Sequence, residues 1–171
     1  MRRHKLDLKL IAELMRNSKK SDRELAKKLG VSQPTVTRTR TRLEKEGYIK
    51  EYTLIPDFRK LGFEIMALTL IKLKREPTEE ESKKLKEFGT EYEKRSPFAL
   101  ALAVSGMGAG YNRATLSFHE NYSSLMKFIN DSRQTPWTEF YDYDTFIIGL
   151  DDDHFRFLTF STVAKYLSMM K

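Results

Sequence analysis

The chain has 171 residues, 40% hydrophobic and 32% charged, a balance that excludes a disordered chain and suits one ordinary domain or two small ones. It holds no cysteine, which excludes disulfides, thiolate metal sites and cysteine nucleophiles, and no apolar run of about 18 residues that would span a membrane. The net charge of +7 is uneven: residues 1–61 carry 17 Lys and Arg against 8 Asp and Glu, whereas the other 110 carry 14 against 16. A basic first third on a mildly acidic remainder suggests a nucleic-acid-binding module joined to a second domain; a solvated lysine-rich face is the plain alternative. The N-terminus lacks the uninterrupted apolar core of a signal peptide, and a cytoplasmic location is expected.

In chain order, "LDLKLIAELMRNSKK" places Leu6, Leu10, Ile11, Leu14 and Met15 at helical spacing. "SDRELAKKLG" opens with a capping box, Ser21 with Glu24, and ends at Gly30, a residue that tolerates positive φ. In "VSQPTVTRTRTRLEKEG", Ser32 is an N-cap, Pro34 fits a first turn and Gly47 is a stop. The threonine–arginine alternation therefore reads as a helix over 33–45, not a strand. At about 100° per residue, Val36 and Leu43 share one face, bordered by Thr39 and Arg40. Arg38 and Arg42 lie opposite them, among Thr35, Thr37 and Thr41.

Such a face suits a DNA major groove, where arginine meets guanine bidentately and threonine meets a thymine methyl or a phosphate. Ala26, Gly30 and Val36 fall at the offsets of a helix-turn-helix. The alternating "GYIKEYTLIPDF" predicts a wing strand from Tyr48 to Ile55. The expected DNA-facing residues are Gln33, Thr35, Thr37, Arg38, Thr41 and Arg42, with Lys27/Lys28 and Lys19/Lys20 nearer phosphate.

The run "LA..LGVS..TV....RLE.EG.I..Y......LG", within residues 6–63, resembles the Lrp/AsnC (feast/famine) family of transcription regulators. The resemblance implies a DNA-reading unit within 22–44 and a hinge near 52–62 leading to an effector domain. Arg40 departs from the aliphatic residue usual there, so either it snorkels past the core edge or the helix is slightly rotated.

Beyond the hinge the order is strand, helix, strand, strand, helix, strand: "EIMALTLIKL", "PTEEESKKLKEFGTEY", "FALALAVSG", "RATLSFHE", "NYSSLMKFINDSR" and "EFYDYDTFIIGL". The fold class is α+β: an N-terminal winged helix-turn-helix and a C-terminal ferredoxin-like βαββαβ domain. The expected division is 1–51, a linker 52–62, a domain 63–150 and a C-terminal extension 151–171. Two strands are apolar on both faces, while two helices cover only one, so the open face should pair two copies; cover by the first domain or the tail is the alternative.

The segment "SGMGAGYNRAT" joins the second and third strands. In the family a Gly-x-Tyr-Asp motif here lies near an amino-acid effector site. Tyr111 and Asn112 match its Tyr-Asp, and Ala109 stands at its glycine. Asn112 is neutral, so an effector is not restricted to amino acids. Gly106, Gly108 and Gly110 leave backbone N–H groups for an anion, although a flexible connection reads more simply.

The tail "DDDHFRFLTFSTVAKYLSMMK" reads as a solvated turn rather than a metal set, then an edge strand "FRFLTF" and a short apolar helix placed against a partner subunit. No metal or cofactor is expected. The leading reading is a sequence-specific, DNA-binding transcription regulator, a homodimer or higher oligomer, with a small-molecule effector at the second domain. Behind it stands an architectural protein binding double-stranded DNA with little sequence preference. An enzyme, such as a heme-pathway decarboxylase of the same architecture, ranks last, since no catalytic constellation is visible. No membrane partner is expected.

Overall fold

The computed structural model describes residues 2–75, 77–95, 99–133, 141–152 and 158–170. The order is α1 (Arg2–Arg16), α2 (Asp22–Leu29), α3 (Gln33–Lys45), β1 (Ile65–Leu73), α4 (Glu79–Arg95), β2 (Ala99–Gly108), β3 (Tyr111–His119), α5 (Tyr122–Arg133), β4 (Tyr141–Gly149) and α6 (Ser161–Met169). Two compact units form: Met1–Ile55 together with His154–Lys171, and Pro56–Asp153.

In the first unit Leu10, Leu14, Leu25, Ala26, Val36 and Leu43 form the core, rimmed by Ile11, Leu29, Val31 and Ile49. The caps fix the helix ends. Ser21 Oγ accepts from the Glu24 N–H while the Glu24 carboxylate accepts from the Ser21 N–H. Gly30 turns the chain at φ 68°, and Ser32 caps α3. The segment 48–55 is not a strand. Its alternation offers a face, but a strand needs a neighbour to take its backbone groups, and the described sheet contains only β1–β4. Ile49 packs on the core, while Tyr48 and Leu54 stay exposed.

The short C-terminal helix lies on its own chain: α6 packs against α1, not needing a partner subunit for cover. Ala164 is fully buried, and Arg16 donates to its carbonyl at 3.3 Å and to Ser168 Oγ at 3.0 Å. Of the expected edge strand, residues 155–157 lie outside the described residues, and 158–160 are bent, not extended.

The second unit is a four-stranded antiparallel sheet, order β2-β3-β1-β4, with the βαββαβ connections of the ferredoxin-like fold. Cross-strand partners share a face. One face carries Ala67, Thr69, Ser117 and His119, all buried, and His119 meets Phe128 of α5 with ring centroids 5.3 Å apart. Burial holds His119 below the usual histidine range, and its Nε2 lies 2.9 Å from Ser117 Oγ. On the opposite face a row of Phe146, Leu68, Leu116 and Leu102 crosses all four strands. Phe118, two residues along β3, is sealed by a stacked Phe58 at 3.9 Å.

The β2–β3 connection is a two-residue turn, with Ala109 at φ 49° and Gly110 at φ 83°. Positive φ at both positions is the mirror-image hairpin turn that glycine and asparagine favour. Ala109→Gly should relieve about 1–2 kcal/mol of left-handed strain. The added freedom of the unfolded chain offsets about half of that. Urea unfolding should therefore show a net gain of about 0.5–1 kcal/mol.

Candidate nucleic-acid interface

The outward side of α3 follows from its inward side. Val36 and Leu43 are buried at 0% and 1% exposure, which turns Gln33, Thr37, Arg38 and Thr41 to solvent. Thr35 is half-buried and shares a 2.8 Å hydrogen bond with Ser32. Thr37 Oγ1 donates to Asp22 at 2.6 Å, which leaves its methyl free for apolar contact. Among the described residues, Arg38 hydrogen-bonds to its own helix, through Nε to the Pro34 carbonyl at 3.4 Å, and no described carboxylate pairs with its guanidinium.

The other two arginines of α3 hold the unit together. Arg42, expected beside Arg38 on the outer face, is only 23% exposed; it donates to Asp7 at 2.5 Å and to Glu46 at 2.6 Å. The Asp7 hydrogen bond raises its pKa further. Arg40 does snorkel past the core edge, reaching the Lys20 carbonyl at 3.1 Å and Asp22 at 3.0 Å. Asp22 thus clasps Thr37 and Arg40 together and joins α2 to α3. Both partners of its pair with Arg40 are about one-fifth exposed, so Asp22→Ala should cost about 1–2 kcal/mol in thermal unfolding.

Of the lysines, Lys27 is exposed and in no described ion pair. Lys28 reaches Glu13 at 2.8 Å with its side chain 54% exposed, and Lys20 reaches Glu13 at 2.6 Å. Arg16 completes the cluster at 2.6 Å. Glu13 itself is 5% exposed, and sequence periodicity gave no sign of it as a hub.

In the second unit the glycine-rich stretch is not an open loop. Gly106 and Gly108 belong to β2, Gly110 to the turn, and Tyr111 and Asn112 to β3. The Tyr111 hydroxyl donates to Asp144, which raises its pKa, and Asn112 Oδ1 accepts from the Leu73 N–H at 3.0 Å. The two side chains expected to meet an effector are engaged within the sheet, because β3 pairs with β1 and the Tyr111 ring reaches across β1 to Asp144 of β4. Asp151 pairs with Arg59 at 3.1 Å on the surface; Asp153 and His154 lie outside the described residues. Among the described residues no His, Asp or Glu group could hold a metal ion, and no helix is long and apolar enough to cross a membrane.

A winged helix-turn-helix DNA-binding family model matches residues 3–50. An uncharacterized HTH-type transcriptional regulator of Pyrococcus abyssi (strain GE5 / Orsay) is 40% identical over 70 residues, 41% of this chain and 47% of that protein. The HTH-type transcriptional regulator LrpC of Bacillus subtilis (strain 168) is 41% identical over 68 residues, 40% of this chain and 47% of LrpC. The chain thus spans about half the length of these relatives. The solved structure of B. subtilis LrpC aligns with a TM-score of 0.67 and 26% identity, over 88% of this chain and 96% of LrpC. A transcriptional regulator from Neisseria meningitidis, solved in complex with L-Met, shares the fold at a TM-score of 0.69 and 13% identity, over 92% of this chain and 97% of that one.

Proposed function

We propose that this chain is a transcription regulator of the Lrp/AsnC type that binds double-stranded DNA sequence-specifically as a homodimer or higher oligomer. The observation that carries the reading is the division of labour on α3. Arg40 and Arg42 are spent on holding the unit, while Arg38 stands free beside Gln33, Thr37 and Thr41. Arg38 and Gln33 would read base edges, Thr37 and Thr41 would meet thymine methyls or phosphate, and Lys27 with Lys28 would contact the backbone. Thr35 and Arg42 would act by positioning the helix. The cytoplasm is the proposed location.

Self-association would serve this reading, since two recognition helices would address two half-sites and raise selectivity over a genome. The open sheet face is its basis: Phe146 is 67% exposed, Leu102 43% and Val104 44%. Phe146→Asp should shift sedimentation from dimer to monomer at micromolar concentration; an unchanged sedimentation coefficient would remove the sheet-face dimer. A small-molecule effector at the second unit completes the proposal, and the L-Met complex of the Neisseria protein lends it support.

Competition between a selected operator and random duplex at physiological salt tests the function. A preference of about 10³ or more is expected for specific binding. A ratio near one would favour an architectural coating protein instead.

A further inference from the structure

A cleft of about 270 Å³ lies on the second unit, floored by a row that crosses all four strands: Tyr143, Ile71, Arg113 and Ser105. Tyr141 and Thr115 complete its wall. It occupies the same face as His119, at the far end of β3 from the contact with α5. That face is otherwise apolar or neutral where it is buried, so a half-buried arginine there needs a reason. The described arginine ion pairs run through Arg16, Arg40, Arg42, Arg59 and Arg75, and Arg113 is in none of them. Among the described residues no carboxylate lines the cleft. The rings of Tyr141 and Tyr143, with centroids 6.0 Å apart, offer flat apolar walls, and neither hydroxyl makes a described hydrogen bond.

We propose that this cleft binds a small organic carboxylate with a compact apolar or aromatic tail. The guanidinium of Arg113 would take the carboxylate as a fork, Ser105 and Thr115 would add hydroxyl donors, and the tyrosine rings with Ile71 would hold the tail. The described lining offers no carboxylate to an ammonium group, so the class differs from a free amino acid. The regulatory meaning of the site rests on the effector reading above; the binding itself does not.

Three probes share one tail and separate the charges: phenylacetate, phenylalanine and phenethylamine, titrated calorimetrically into the full chain without DNA. Phenylacetate is expected to bind with a Kd below about 1 mM, phenylalanine more weakly and phenethylamine not at all. Arg113→Gln should weaken phenylacetate at least tenfold. Ala103→Phe, which fills the cleft from β2 and keeps the arginine, should do the same, with circular dichroism confirming a folded protein in each case. Failure of phenylacetate to bind, equal binding of phenethylamine, tighter binding of phenylalanine, or unchanged affinity in both folded variants would overturn the site. Operator affinity with and without saturating phenylacetate is read separately. A change that Arg113→Gln abolishes supports regulation through the cleft; no change would remove the effector role and leave the binding site standing.

Discussion

Glu13→Gln is expected to destabilise the first unit by about 3 kcal/mol at neutral pH, and to remove a step from its acid unfolding. The carboxylate is 5% exposed and gathers Arg16, Lys20 and Lys28 within 2.8 Å. Burial alone would raise its pKa. Hydrogen bonds from Lys20 and Lys28, reinforced by their charges, outweigh burial and bring it from the ordinary 4.5 down to about 2. At roughly 1.4 kcal/mol per pKa unit, that gap corresponds to about 3 kcal/mol. A carboxylate whose pKa is lower in the folded state stabilises fully above its unfolded value. The contribution therefore stands above about pH 4.5 and is lost as pH falls towards 2. Urea unfolding of the wild type should weaken across that window, while Glu13→Gln should start weaker and change less. Parallel pH profiles for the two proteins would contradict the hub.

Arg38→Ala is expected to cost about 1–3 kcal/mol of operator binding and to relax preference at one base-pair position in each half-site. The exposed guanidinium is the reason: among the described residues nothing competes for it beyond one long contact to its own helix. Lys27→Ala should behave differently, weakening operator and random duplex alike and lowering the salt slope by about one. Arg42→Ala separates reading from support. Its guanidinium is committed to Asp7 and Glu46, so its loss should appear first as lower thermal stability, with base preference retained. Binding-site profiles of the three variants, compared at fixed salt, distinguish the roles. An Arg38→Ala profile identical to wild type would dismiss the assignment.

The features legible in the sequence were the local ones. Ser21 with Glu24, Gly30, Ser32 and Pro34 sit within a few residues of the backbone groups they satisfy, so the ends of α2 and the start of α3 followed from spacing. Period-two and period-3.6 patterns likewise gave the βαββαβ order, because each element exposes or buries its own alternating set. What escaped was decided by distant partners. Arg42 looked outward on a helical wheel, but Asp7, 35 residues away, claims it. Arg40's departure from an aliphatic residue was visible, whereas its partner Asp22 belongs to another helix. The wing pattern over 48–55 promised a strand, and no described strand supplies the second half of its ladder. Arg113 alternates like any polar residue of an edge hairpin; only the cross-strand register sets it between tyrosines of β4 and a serine of β2. Asn112 looked like a ligand contact because of a motif, and the fold uses it to cap β1.

Selection of bound duplexes from a random pool by the full chain tests the DNA reading most directly. The expected result is one enriched, twofold-symmetric motif whose half-sites lie about one helical turn, roughly 10 base pairs, apart, and whose enrichment is lost with Arg38→Ala. A pool that emerges without any enriched motif, or with the same motif for wild type and Arg38→Ala, would contradict it.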